Sequence, residues 1–191
     1  VHESDLIIAA GYDPIEMRAG WRNPWGKKGK VIEFTAVPNT HYMHQADLSF
    51  VGHIGEGLNT LRRGVSLGPV WKGDKPMNVR NQLKSIFSVK DDWGPGAVIE
   101  TVREILPENG VVTVDSGAHR ILLSQMWECY NPRGLLQSTG LCTMGCAVPL
   151  AMGFQLASPE RPVVAFTGDA GLEMVLGELA TLRDLKLPVV I

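Results

Sequence analysis

The stretch VVAFTGDAGLEMVLGELATL, residues 163–182, decides the fold class. It opens as an apolar strand over 162–166, passes through a tight Gly168-Asp169-Ala170-Gly171 turn, and continues as a helix over 172–185. In that helix Leu172, Val175, Leu176, Leu179 and Leu182 recur on one face. Gly168 allows a sharp backbone turn, and the amides of Ala170 and Gly171, free at a helix N-terminus, favour an anion. Asp169 would repel a phosphate unless a hard cation stood between them, and magnesium prefers oxygen ligands of this kind. The same residues also suit a plain strand-to-helix turn in which Asp169 is only an N-cap.

Working outward, the alternation continues on both sides. Upstream, 95–106 reads as an amphipathic helix, 110–114 as a strand, 119–129 as a helix, 134–138 as a short strand and 143–157 as an apolar helix. Downstream, 188–191 reads as another strand. Strand and helix in strict turn imply right-handed βαβ units, and so an α/β fold of doubly wound parallel sheets in three αβα layers, with ligands at the carboxyl ends of the strands. The pattern breaks down over 64–93 into Gly, Pro, Lys and Asp, as an interdomain linker would. Before it, DLIIAAG (5–11) has the look of a parallel strand buried on both faces. A loop over 12–30, strands at 30–37 and near 48–52, and a helix over 54–63 complete the later part of a second doubly wound domain.

The composition narrows the function. Of 191 residues, 45% are hydrophobic and 20% charged, with a formal net charge of −2, so nothing resembles a nucleic-acid-coating or disordered chain. Three cysteines without CxxC spacing argue against a disulfide framework and for a reducing compartment, the cytoplasm by default. No apolar run approaches the roughly 20 residues that span a bilayer. The start, VHESDLIIAAG, and the end, LPVVI, both read as strands met in mid-fold, so the chain is expected to be a piece of a larger protein.

Two further segments give the pattern a family. TGLCTMGCAVPLAMG (139–153) and VVTVDSGAHRILLSQ (111–125), taken with GDAGLEM and ELATL, resemble the thiamine diphosphate-dependent enzymes, in particular acetolactate synthases of the large, catalytic subunit type. The resemblance implies the thiamine diphosphate-binding fold, with residues 94–191 as the first half of the diphosphate-binding domain and 1–63 as the C-terminal part of the middle domain. It implies thiamine diphosphate and Mg²⁺ as cofactors, with Asp169 as a metal ligand. Gly117, Ala118 and His119 would hold the terminal phosphate, and Gly168, Asp169, Ala170 and Gly171 the diphosphate-binding turn. Met144 becomes the apolar prop beneath the bent cofactor, the one residue here given a catalytic part, and the carbonyl of Cys142 accepts a hydrogen bond from its 4′-amino group. Position 142 is cysteine where the family usually has glycine.

The implied activity is cleavage or formation of a carbon–carbon bond next to the carbonyl of a small 2-oxo acid. The implied assembly is a homodimer or homotetramer with the cofactor at a subunit interface, without nucleic acid or membrane. A second magnesium ligand is expected just past Ile191, and the activating glutamate in a domain preceding residue 1, so the fragment alone should be inactive. GYDPIE (11–16) is similar to the middle domain of catabolic acetolactate synthases, which argues against FAD.

Other readings compete. Within the superfamily, a different 2-oxo acid decarboxylase, an aldehyde-lyase or a sulfoacetaldehyde acetyltransferase would carry the same cofactor motifs. A non-catalytic binding or assembly module could retain them in degenerate form. Cys142 and Cys146, four apart on one helix face, could join Cys129 and His119 around zinc, but such spacing amid apolar neighbours is more often core. His41 and His44 read as surface residues. A Rossmann-type dehydrogenase would need G-x-G-x-x-G after a strand, which no glycine cluster supplies.

Overall fold

A computed structural model describes residues 1–12, 25–40, 43–66, 68, 71–87 and 93–191. His41 and most of the GYDPIE segment lie outside the described residues. The chain divides into two compact units, Val1–Val70 and Trp71–Ile191.

The first unit is a parallel sheet in the order β1 (Leu6–Ala10), β2 (Lys30–Thr35), β3 (Leu48–Val51), followed by helix α1 (Ile54–Gly64). Only β2 is well buried, through Val31, Glu33, Phe34 and Thr35. A Cβ on Gly57 would lie 2.6 Å from the Phe34 ring, so α1 lies against β2 where glycine permits it. The expectation that β1 is buried on both faces is corrected, because Leu6 and Ile8 are exposed. Among the described residues of this unit α1 is the only helix, and it covers β2 rather than β1. His44, expected at the surface, is also corrected, at 8% exposure. Its Nε2 lies 2.9 Å from Oε1 of buried Glu33, which also accepts from Ser49 Oγ and Asn39 Nδ2. A carboxylate buried on a central strand needs these partners, and they draw the histidine inward.

In the second unit, a 3₁₀ turn at Lys72–Asp74 leads into α2 (Lys75–Ile86), a helix inside the stretch expected as linker. Then come α3 (Pro95–Ile105), β4 (Val111–Val114), α4 (Ala118–Met126), β5 (Leu135–Gln137), α5 (Ala147–Ala157), β6 (Val163–Phe166), α6 (Asp169–Glu173), α7 (Glu178–Asp184) and β7 (Val189–Val190). The four strands are parallel in the order β5-β4-β6-β7. Strand β4 is buried throughout and splits its side chains between two cores. Val111 packs with Ala147, Val148, Ala151 and Met152 of α5, while Val112 and Val114 pack with Ile99 of α3 and Leu123 of α4. Helices therefore cover both faces of the strand, as its continuous apolar run requires. No helix among the described residues is long and apolar enough to cross a membrane.

Helix α2 is fastened by charge. Arg80 and Lys84, one turn apart, each reach Glu128 Oε1 at 2.8 Å. Hydrogen bonds from Lys84 and then Arg80 bring the Glu128 carboxyl down to about 2. A carboxyl depressed by folding stabilises the fold above its unfolded value of about 4.3 and loses that contribution as pH falls through the folded value. Protection of the amides along 75–86, taken relative to their intrinsic exchange rates, is therefore expected to fall between pH 4 and pH 2, and Glu128→Gln should remove that acid dependence. Exchange that follows the same pH profile in both proteins would contradict the role of this pair.

Candidate functional site

Because the strands are parallel, the loops leaving β4, β5 and β6 emerge at one edge of the sheet. The chain steps from β4 outward to β5, then crosses back to place β6 on the other side of β4. The crevice of this doubly wound sheet therefore opens between the ends of β4 and β6, the position where such folds take their ligands.

The residue that follows β4 organises the edge. Asp115 is 1% exposed, and its amide donates to Phe166 O at 3.0 Å, extending the ladder one residue beyond the strands. Its Oδ1 accepts from the amides of Cys146 (2.6 Å) and Ala147 (2.9 Å) at the start of α5. Its Oδ2 accepts from Thr167 Oγ1 at 2.7 Å. A Cβ on Gly171 would overlap Oδ2, so the turn after β6 can approach only as glycine. One carboxylate thus ties three segments together and places negative charge at a helix N-terminus, where it is favoured. Burial pushes the Asp115 carboxyl up, but the hydrogen bonds from Thr167, Ala147 and Cys146 outweigh it and leave the group below its ordinary value.

The loop between β5 and α5 departs from expectation. The helix expected from 143 begins at Ala147, because Cys142 (φ +50°) and Gly145 (φ +74°) take left-handed conformations and Asp115 holds the first amides of the helix. Cys142 and Cys146 therefore do not share a helix face, and this part of the sequence reading is corrected. None of Cys129, Cys142 and Cys146 is in a disulfide among the described residues. Among the described residues, no three His, Cys, Asp or Glu side chains gather as a metal ion would need. Ser116 Oγ donates to the Cys142 carbonyl at 2.5 Å, and Gly145 lies close against Val175, Met174 and the Gly171 carbonyl. Met144, between these two fixed points, stands 41% exposed.

His119 occupies the first turn of α4. Its ring folds back over Gly117, where a Cβ would lie 2.7 Å from Cε1 and 2.8 Å from Nδ1. A Cβ on Gly168 would lie 3.4 Å from the same ring, so the histidine bridges the loops after β4 and β6 across the crevice. Its Nε2 is buried without a hydrogen-bond partner among the described residues. A buried ring nitrogen left unmatched is costly, and an oxygen-rich ligand would satisfy it.

The turn after β6 is corrected in three respects. Gly168 has φ −89°, an ordinary extended conformation, so no left-handed turn demands a glycine there. The amide of Ala170 is not free but donates to Asp169 Oδ1 at 2.8 Å, with Asp169 exposed. The single helix expected over 172–185 is two, α6 and α7. Val175, Glu178, Leu179 and Ala180 each donate to the carbonyl three residues back, a tighter winding that shifts the phase. Leu172 and Val175 still pack on the core with buried Leu182, but Leu176 and Leu179 turn outward.

Of the residues singled out from sequence, Gly117, His119 and Gly168 meet at the crevice, and Gly171 adjoins it through Asp115. Cys142 joins through Ser116, and Met144 lies within the loop that both Asp115 and Ser116 fasten. Ala118, Asp169 and Ala170 lie in the same two turns that begin α4 and α6. Sequence reasoning missed Asp115, Ser116 and Thr167. A carboxylate ending the apolar run VVTVD was the available signal, since a charge there must find buried partners.

Comparison with known proteins places this arrangement. Residues 115–191 match the family described as thiamine pyrophosphate enzyme, C-terminal TPP binding domain. The chain is 28% identical over 199 residues to acetolactate synthase of Bacillus subtilis, covering 100% of this chain and 35% of that protein. It is 31% identical over 207 residues to an acetolactate synthase large subunit of Parasynechococcus marenigrum (99% of this chain, 31% of that one). It is 35% identical over 203 residues to a probable acetolactate synthase large subunit of Methanocaldococcus jannaschii (100% and 34%). The chain thus spans about a third of the length of these relatives. With the matched segment starting at Asp115 and taking in all three loops of the crevice, the chain belongs to the thiamine pyrophosphate enzyme family.

Proposed function

We propose that this chain is part of a thiamine diphosphate- and magnesium-dependent enzyme of the acetolactate synthase type, which cleaves and joins carbon–carbon bonds beside the carbonyl of a small 2-oxo acid. The observation that carries the reading is the crevice between β4 and β6, where His119 leaves a buried nitrogen unmatched between two glycines. The residues there fit a diphosphate: a ring nitrogen, glycines that leave room at the backbone, and an exposed carboxylate, Asp169, able to hold a hard cation.

In this reading His119 and the amides of Gly117 and Ala118 bind the terminal phosphate. Gly168, Ala170 and Gly171 shape the turn that carries Asp169, the magnesium ligand. The thiamine cofactor, when bound, supplies the electron sink for the carbon chemistry. The chain's own part is to bind, orient and exclude water. Met144, exposed on a loop fastened at both ends, is a rigidly placed apolar support for the cofactor. The Cys142 carbonyl is an acceptor for its amino group. Residues 1–63 belong to the middle domain, 64–93 to the interdomain linker and 94–191 to the first half of the diphosphate-binding domain. The full-length protein acts in the cytoplasm as a homo-oligomer, with the cofactor at a subunit interface.

The full-length protein is expected to release carbon dioxide from pyruvate, taken as the simplest 2-oxo acid probe, only when thiamine diphosphate and Mg²⁺ are both present. Met144→Ala should lower kcat by about 10-fold or more while changing cofactor affinity less, as for a group that acts on the bound geometry. Turnover in that variant equal to the parent would remove the role given to Met144. Absence of any cofactor-dependent carbon dioxide release across a panel of 2-oxo acids would overturn the proposed reaction.

A further inference from the structure

Cys142 stands in a left-handed conformation (φ +50°), which a side chain with a Cβ disfavours and glycine adopts freely. Something in the chain must hold it there. The hydroxyl of Ser116, the residue after Asp115, donates to the Cys142 carbonyl at 2.5 Å. Arg120 Nη1 in turn donates to Ser116 Oγ at 3.3 Å, and Arg120 Nε donates to Gln137 Oε1 at 3.0 Å. The serine hydroxyl is thereby oriented from behind by a cation that is itself steered from the end of β5. Its neighbour Asp115 holds the other end of the same loop through the amides of Cys146 and Ala147. Two consecutive residues therefore pin the segment 142–147 at both ends, with Met144 between the pins.

We infer that Ser116 is a positioning residue: by anchoring the Cys142 carbonyl it holds a strained loop in the shape that the cofactor requires. This rests on the reading above, in which that carbonyl faces the cofactor's amino group. A carbonyl oxygen has two lone pairs, so the serine bond sets its direction without excluding a second donor. The pairing also accounts for a cysteine in a left-handed conformation at this position. Glycine needs no anchor to stay left-handed, whereas cysteine does, and Ser116 supplies it.

The test uses five full-length proteins: the parent, Ser116→Ala, Cys142→Gly, the double variant and Ser116→Thr as the conservative rescue. Without cofactor, hydrogen exchange over 139–146 should run several-fold faster in Ser116→Ala than in the parent and return toward the parent rate in Ser116→Thr. With Mg²⁺ present, calorimetric titration of thiamine diphosphate should show Ser116→Ala weakened by about three- to tenfold, the value of one hydrogen bond. In the Cys142→Gly background the same serine substitution should cost less than half as much in affinity on the logarithmic scale, because glycine keeps the conformation unaided. Unchanged exchange over 139–146 in Ser116→Ala would overturn the inference. So would an equal loss of affinity in the cysteine and glycine backgrounds. If the parent took up no thiamine diphosphate while the exchange result held, the functional reading would fail and the anchoring of the loop by Ser116 would stand, without its link to a cofactor.

Discussion

Asp169→Ala in the full-length protein is expected to weaken magnesium-dependent uptake of thiamine diphosphate by about 100-fold or more, since even the outer partners of metal ligands are worth 10- to 100-fold. The carboxylate is exposed at the start of α6, and the bond its Oδ1 accepts from the Ala170 amide leaves lone pairs for a cation. An anionic side chain beside a diphosphate is repulsive by itself, so the loss should appear only with metal present. With Mg²⁺ removed by a chelator, both should bind weakly, the parent no better than the variant. Calorimetry that finds the two indistinguishable in saturating Mg²⁺ would remove the metal role.

Asp115→Ala carries the largest expected cost in stability. The substitution strips the acceptor from two amides and a hydroxyl, one amide of them buried and the other two groups part-buried, for a loss of about 3–5 kcal/mol. It also removes the negative charge from the N-terminus of α5. The thermal transition of the domain should fall by roughly 10 °C. The carboxyl is depressed by folding, so its contribution is present above the unfolded value of about 3.9 and is lost as pH falls below it. Asp115→Asn, which keeps one acceptor oxygen, should therefore destabilise less at neutral pH and flatten the acid limb of the stability profile. A melting temperature unchanged in Asp115→Ala would show that the three segments hold together without it.

How much of this could be read from residues alone depended on the range of the forces involved. The parallel strands β4 and β6 and the position of α5 follow from apolar runs, and two-sided burial of β4 is what VVTV implies. The break between α6 and α7 was hidden, because LEMVLGELATL keeps a helical apolar rhythm even where the backbone bonds shorten to three residues. Cys142 gave no sign of a left-handed backbone, since cysteine has no preference for it, and the Ser116 hydroxyl that holds its carbonyl lies 26 residues away. The partners of Asp115 were equally hidden, lying 31 and 52 residues along the chain. In the first unit, His44 was drawn inward by Glu33, a carboxylate that the strand pattern KVIEFT alone would have placed outside. The motif residues themselves were legible where chemistry and backbone coincide, as at Gly117, His119 and Gly168.

The central claim is that the crevice between β4 and β6 holds a diphosphate through His119 and a metal through Asp169. A crystal structure of the full-length protein soaked in saturating thiamine diphosphate and Mg²⁺ tests it most directly. Density is expected for the diphosphate within hydrogen-bond reach of His119 Nε2, and for a cation on the Asp169 carboxylate. An empty crevice under those conditions, or cofactor bound elsewhere with His119 Nε2 still unmatched, would contradict it.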